Sequence, residues 1–106
     1  MTVPAQVTHW KTVPGGVELA MVGPVDHDDA PSLADDLDAL IGMPGVDLVL
    51  VDMGRVPTLD RSGIDALLAA KQRAASVGVT VAIGYLPDTV RQALAMAGAL
   101  ETLAGT

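Results

Sequence analysis

The chain has 106 residues, 50% of them apolar, which predicts a single domain over residues 1–106 with its own hydrophobic core. It has no cysteine, and it shows neither a leader sequence nor an apolar run of about 18 residues, so disulfides, thiol chemistry and a membrane span are excluded and a cytoplasmic location is expected. Thirteen acidic against six basic residues give a net charge of −7, which argues against a nucleic-acid partner, because such binding depends on clustered lysine and arginine.

The chain opens with a predicted β-hairpin followed by a helix. Val7 to Val13 and Val17 to Val22 are strand-like segments on either side of the turn sequence Pro14-Gly15-Gly16. After them, apolar side chains recur at i, i+4, i+7 and i+8, with Pro31 suited to the first helical turn and Gly42 to the helix end. The predicted apolar stripe consists of Leu33, Leu37, Leu40 and Ile41.

Strands and helices then alternate to the end of the chain. The apolar run Val46 to Val51 is typical of a strand covered on both faces, and helical spacing continues from Ile64 to about Val77. A short strand is predicted over Val79 to Ile83, a third helix over Pro87 to Ala97, and a final short turn over Leu100 to Leu103.

This order of elements predicts an α/β fold. We expect a mixed, mostly parallel sheet of four to five strands that starts with a β-hairpin, together with about three to four helices. In open α/β sheets, sites form in the loops beyond the carboxyl ends of the strands, so Asp26, Asp60 and Ser62 are expected to be neighbours. The three loop segments expected at that edge are residues 23–29, 52–62 and 84–87.

Ser62 is the first candidate for a regulated site. It lies in the run Asp60-Arg61-Ser62-Gly63 between a strand and a helix, where backbone N–H groups and the helix dipole stabilise an added phosphate. The same serine fits a capping box with Asp65, three residues later, a role that only starts the helix. One residue can serve both roles, so the sequence leaves both open.

The acidic residues are concentrated between Asp26 and Asp38, which predicts a solvated helix face and loop; a partner that binds there is expected to be basic. The segment Asp26-His27-Asp28-Asp29 lacks the glycine and terminal glutamate of a calcium-binding EF-hand loop, so a hydrated loop without a metal is predicted.

Enzymatic activity is not expected from these residues. Ser62 lacks the Gly-x-Ser-x-Gly setting of a nucleophile elbow, and the histidines are limited to His9 and His27. No glycine-rich phosphate or dinucleotide loop occurs, so no cofactor is predicted and any ATP belongs to a partner.

The chain has two aromatic residues, Trp10 and Tyr85. Trp10 is predicted to cover an end of the core, with an exposed partner contact as the alternative. Tyr85 follows the last strand at the predicted functional edge, where a partner-binding role and a structural one are both open. Met43, Met53 and Met96 are predicted to fill gaps in the core.

Several of these segments resemble a known family. Gly23-Pro24-Val25-Asp26 is similar to its Gly-Glu-Leu-Asp element, and Val51-Asp52 is similar to the start of its Val-Asp-Leu element. Leu59-Asp60-Arg61-Ser62-Gly63-Ile64 resembles its Asp-Ser-Ser-Gly-Leu element, and Pro87 to Leu103 matches in spacing. The family is the STAS domain of anti-sigma factor antagonists, and the resemblance covers nearly the whole chain.

The resemblance implies a STAS-like fold and a phosphorylation switch in a bacterial transcription regulator. In this family the unphosphorylated domain binds an anti-sigma factor serine kinase of the GHKL ATPase type and so frees the sigma factor. The kinase phosphorylates the serine that corresponds to Ser62, and a serine phosphatase reverses the modification. Carried over, Asp26 faces the kinase, Asp60 shapes the phosphorylation loop, and Arg61 and Gly63 belong to the partner-binding segment.

Two residues depart from the family pattern. Pro24 replaces a glutamate, which removes a carboxylate and a backbone donor. Arg61 replaces the first serine of the Asp-Ser-Ser-Gly element, where its cation can pair with a phosphate on Ser62 or obstruct the kinase. The alternatives to a switched antagonist are an unswitched STAS adaptor, in a stress-signalling or lipid-transport complex, and a small-molecule sensor.

Overall fold

A four-stranded sheet organises the protein in the computed structural model, which describes the backbone of residues 6–104 and the side chains of residues 13–103. The strand order is β1-β2-β3-β4, with β1 antiparallel to β2 and the other neighbours parallel. The predicted mixed sheet with an initial hairpin is confirmed, at the lower end of the predicted strand number, and the described chain has four helices. The elements are β1 (Gln6–Val13), β2 (Gly16–Val22), α1 (Ala30–Ile41), β3 (Leu48–Arg55), α2 (Arg61–Ser76), β4 (Thr80–Gly84), α3 (Asp88–Met96) and α4 (Leu100–Ala104).

The hairpin turn also fixes the start of β3. Gly15 has a φ of +80°, a left-handed conformation that glycine adopts without steric cost. Its carbonyl accepts a hydrogen bond from the backbone N–H of Asp47 at 3.0 Å. A Cβ atom on Gly16 would overlap the carbonyl group of Leu48, so glycine is needed where β3 passes closest to the hairpin.

The strand β3 differs from its prediction in its bounds and in its burial. It starts at Leu48, two residues after the predicted start at Val46. It extends to Arg55, beyond the predicted end at Val51, because its parallel pairing with β2 continues to the Val22–Arg55 partners. Only one of its faces is fully buried: Val49 and Val51 have no exposed surface, whereas the alternate side chains are half-buried. An unbroken apolar run does not reveal that the second face is only partly covered.

The helices pack on the buried face of the sheet through the predicted apolar stripes. All four residues of the α1 stripe are buried, with Pro31 in the first turn and Gly42 as the C-cap. The helix α2 ends just before Gly78 and α3 just before Ala97 and Gly98, and both glycines have positive φ angles. The core therefore lies between this face and the four helices, which leaves the strand ends and their loops to form the functional edge.

Candidate functional site

The loop after β2 is fastened to the segment between β3 and α2 at the carboxyl edge of the sheet. Val25 and Leu59 form an isolated parallel bridge, in which the Val25 N–H donates to the Thr58 carbonyl at 2.9 Å and the Asp60 N–H to the Val25 carbonyl at 3.0 Å. A third hydrogen bond joins the loop to the end of β3. The structure thus places the loop of Asp26 beside the start of α2, as the topology predicts.

Asp60, and not Ser62, caps the helix α2. The Asp60 backbone is extended, and its carboxylate accepts the Gly63 N–H at 3.1 Å. The predicted capping box between Ser62 and Asp65 is therefore wrong, because the helix starts one residue before Ser62 and Asp65 pairs with Arg61 instead. The spacing of the serine and the aspartate fits the box, but the preceding aspartate takes the cap position.

The Ser62 side chain is left without a structural role within the described residues. The residue is half-buried in the first turn of α2, and its hydroxyl makes no hydrogen bond to any other described group. A hydroxyl in this position can be reached from solvent, and the nearby helix N–H groups favour a negative charge on it.

Gly63 is buried, so it cannot be part of a partner-binding surface, and this expectation is corrected. A Cβ atom at this position would lie 2.6 Å from Leu59 Cδ1 and 2.8 Å from Val25 Cγ1. Real Cβ contacts are not that short, so glycine is what allows the helix to start against the bridged loops. Gly63 supports the site from below rather than touching a partner.

Arg61 lies on the exposed side of the first helical turn. Its Nε donates to the Asp65 Oδ1 at 3.1 Å, one turn further along the helix, and the two side chains are 70% and 60% exposed. Such an exposed pair between residues i and i+4 stabilises the helix by only about 0.3–0.5 kcal/mol. The cation beside Ser62 is therefore held weakly.

The acidic loop before α1 is folded onto its own backbone. The Asp26 carboxylate accepts the Asp28 N–H at 2.9 Å, and the buried Asp29 carboxylate accepts the Asp26 N–H at 3.0 Å. The His27 Nδ1 lies 3.2 Å from a carboxylate oxygen of Asp28 in an exposed contact. Within the described residues, no group of three or more histidine, aspartate or glutamate side chains is arranged to hold a metal ion.

Tyr85 lies at the same edge, directly after β4. It is the one non-glycine residue with a positive φ in the described chain, at 59°, and its side chain is 67% exposed. Gly54 faces it across the edge, where a Cβ atom would lie 3.6 Å from the Tyr85 Cβ. A strained backbone that presents an exposed aromatic ring is more typical of a binding residue than of core packing.

A shallow groove of about 410 Å³ beside Tyr85 was not predicted from the sequence. Its wall is partly apolar, and the charged side chains of Arg91 and Glu101 line it. These two residues lie on the helices α3 and α4 at ordinary exposed positions, so nothing in their sequence pattern distinguishes them.

The other aromatic and sulfur-containing residues have mixed outcomes. The side chain of Trp10 lies outside the described residues, as does that of His9. Met53 is fully buried and Met43 packs against the core, as predicted for gap-filling residues. The same prediction is wrong for Met96, which is 89% exposed at the end of α3. Its position near a helix end does not determine whether its side chain points toward the core or toward solvent.

The fold and the edge together define a small mixed α/β domain that presents an uncommitted serine at a helix start. The family model of the STAS domain matches residues 9–105. The chain belongs to the STAS domain family. A comparison with curated protein sequences found no matching relative.

Solved structures agree with this family. The chain is similar to an anti-sigma factor antagonist from Mycobacterium paratuberculosis, with 17% identity and a TM-score of 0.78, over 90% of this chain and 80% of the other. The unphosphorylated anti-sigma factor antagonist SpoIIAA is 19% identical with a TM-score of 0.73, over 85% of this chain and 79% of the other. A sulfate transporter family protein from Wolinella succinogenes is 26% identical with a TM-score of 0.73, over 89% of this chain and 76% of the other.

Similar domains also occur within much longer chains. Mglu is 23% identical with a TM-score of 0.67, and 79% of this chain covers only 20% of its length. Within the described residues, every helix is too short or too polar to span a bilayer.

Proposed function

We propose that the protein is a cytoplasmic anti-sigma factor antagonist, which binds an anti-sigma serine kinase through this edge and loses affinity when the kinase phosphorylates Ser62. A serine phosphatase restores binding. The observation that carries the proposal is the Ser62 hydroxyl, which is accessible at the helix start while Asp60 performs the cap. The similar anti-sigma factor antagonist SpoIIAA of Bacillus has been solved in a phosphorylated form.

The modification has a simple chemical balance. The Ser62 oxygen attacks the γ-phosphorus of the kinase's ATP, the bond from that phosphorus to the β-phosphate oxygen breaks, and ADP leaves while the hydroxyl proton passes to a base on the kinase. The domain itself supplies only the acceptor and its position. Asp26, Asp60 and Tyr85 are proposed as contacts that present this acceptor to the kinase.

The charge added at Ser62 is large enough to release a partner. Phosphate brings about −1.5 to −2 charge, and like charges set against each other at an interface cost several kcal/mol. Because each 1.4 kcal/mol is a factor of ten in affinity, a cost of roughly 3 kcal/mol weakens binding about 100-fold. No rearrangement of the fold is needed.

The test is incubation of the protein with ATP and each candidate serine kinase from the same genome, followed by intact mass spectrometry and mapping of the modified residue. We expect one phosphate, on Ser62. Ser62→Ala should remain unmodified, and Ser76→Ala, which removes a serine from the other end of the same helix, should be modified like the wild type. A phosphate elsewhere, or none with any kinase, would contradict the proposal.

A second candidate, an unswitched STAS adaptor, is favoured by one specific observation. Arg61 places a long cationic side chain directly before Ser62, and its pair with Asp65 holds it over the first turn of α2. If it keeps a kinase from the hydroxyl, the domain binds its partner permanently. Phosphorylation that appears in Arg61→Ser but not in the wild type would support this second candidate.

A further inference from the structure

We propose that Arg61 binds the phosphate of phosphorylated Ser62 and that its ion pair with Asp65 breaks when it does so. This inference rests on the proposed function, because it takes Ser62 as the modified residue. It assigns to Arg61 a role in recognising the modification, in addition to its place at the partner-binding edge.

The present pairing of Arg61 leaves most of its hydrogen-bonding capacity unused. A guanidinium group has five N–H donors in a planar fork. Within the described residues only Nε donates, to a single oxygen of Asp65, and the terminal nitrogens make no hydrogen bond. Four donors are therefore available to a second acceptor.

Arg61 is the charged basic side chain next to Ser62 in the chain, and carboxylates flank it on both sides. The Asp60 carboxylate accepts the Gly63 N–H, and the Asp26 carboxylate, on the loop bridged to Leu59, accepts the Asp28 N–H. These hydrogen bonds fix both carboxylates near the start of α2. Asp65 lies one turn further along the same helix. Arg61 is the single basic residue between Arg55 and Lys71 in the sequence.

A phosphate on Ser62 competes with Asp65 on favourable terms. It carries up to twice the charge of a carboxylate and offers three acceptor oxygens, and arginine binds such groups through two parallel hydrogen bonds. The Arg61–Asp65 pair is exposed and uses one hydrogen bond, so little is lost when it opens. The exchange places a positive charge beside the phosphate that Asp60 and Asp65 would otherwise repel.

The exchange can be tested on protein that carries phosphoserine at position 62, introduced during translation so that no kinase is required. The second pKa of the phosphate, about 6 in free phosphoserine, is measured by ³¹P NMR titration. We expect Arg61→Ala to raise this pKa by about 0.5 to 1 pH unit, the size expected of one close charge pair near water.

Arg73→Ala is the matched control. It also removes an α2 arginine from an exposed ion pair, in this case with Asp38 on α1. Arg73 lies 12 residues from Arg61, about 18 Å along the helix and beyond the screening length at physiological salt. We expect it to leave the phosphate pKa unchanged. Arg61→Lys, which keeps the charge but loses the planar fork, should fall between the wild type and Arg61→Ala.

Asp65→Asn distinguishes exchange from a simple effect of net charge. If Arg61 leaves Asp65 for the phosphate, Arg61→Ala should raise the phosphate pKa about as much in the wild-type background as in the Asp65→Asn background, where no carboxylate competes. A rise that appears only in the Asp65→Asn background would show that Arg61 stays with Asp65, and would overturn the exchange. Equal pKa values for wild type and Arg61→Ala would overturn the inference. Because the phosphoserine is introduced without a kinase, this failure is distinguishable from failure of the proposed function, which occurs if no kinase modifies Ser62.

Discussion

The two ends of the helix α2 carry the same kinds of side chain and use them differently. At the carboxyl end, Arg73 donates to Asp38 on α1 at 2.7 Å, and the Ser76 hydroxyl donates to the Arg73 carbonyl at 2.6 Å. At the amino end, Arg61 pairs only within its own helix, and the Ser62 hydroxyl has no partner in the described structure. The side chains at the carboxyl end of α2 make structural contacts, whereas those of Arg61 and Ser62 at the amino end remain accessible.

The accessible end is nevertheless built on a fixed backbone. The bridge between Val25 and Leu59, the Asp60 cap and the close approach at Gly63 fasten the helix start to two loops. A firm backbone with uncommitted side chains presents a hydroxyl in one defined place, which suits recognition by another protein.

The largest effect on stability is expected at Gly63. Gly63→Ala forces a Cβ atom against Leu59 and Val25, and such overpacking costs about 1–3 kcal/mol. Gly42→Ala is the control, because its added Cβ would lie 3.4 Å from the Asp38 carbonyl oxygen and 3.9 Å from that of Ala39, and its φ is negative. Its stability should be unchanged or up to about 1 kcal/mol higher. Urea unfolding of the two variants measures both free energies of unfolding. Equal stabilities would contradict the close packing of Gly63 against Leu59 and Val25.

Ser62→Asp is expected to weaken partner binding about tenfold, or roughly 1.4 kcal/mol. The effect is smaller than that of phosphorylation because aspartate carries less charge than phosphate. Ser62→Ala should retain the wild-type affinity, and Ser76→Asp, at the far end of α2, should change it less than twofold. Calorimetric titration with the kinase found by mass spectrometry gives the three values. The switch is ruled out if Ser62→Ala and Ser62→Asp bind equally well.

Removal of the exposed ring of Tyr85 is expected to cost about 1 kcal/mol or slightly more in partner affinity, as aromatic contacts in interfaces do. The matched variant is Met96→Ala, since Met96 is even more exposed but lies at the end of α3. It should bind like the wild type. Tyr85→Ala with full affinity and unchanged thermal stability would leave Tyr85 outside the interface.

The smallest effect is expected for the helix cap. Asp60→Ala removes the acceptor of the Gly63 N–H and should lower the free energy of unfolding by about 1 kcal/mol. Asp60→Asn, which keeps an acceptor oxygen, should restore most of it. If the alanine variant is as stable as the wild type, the cap is not formed in solution.

The sequence predicted the elements that depend on local periodicity. The spacing of Leu33, Leu37, Leu40 and Ile41 identified the buried face of α1, and the turn at Pro14-Gly15-Gly16 located the hairpin, because both signals lie within a few residues of chain. The meeting of the three loops followed from the order of strands alone. The positions of Asp26 and Asp60 could thus be anticipated without coordinates.

The details that were missed depend on contacts between distant segments or on a choice between neighbouring residues. Nothing in the sequence shows that Val25 bridges to Leu59, and this contact is what buries Gly63. Asp60 and Ser62 are both good capping residues, and only the actual start of the helix decides between them. The exposure of Met96 likewise depends on how α3 is placed on the core.

The most direct test is the affinity of the kinase for the protein before and after complete phosphorylation of Ser62. The account predicts that the phosphorylated form binds about 100-fold more weakly, with the fold unchanged by circular dichroism. Equal affinities for the two forms, with phosphate shown to be on Ser62, would contradict it.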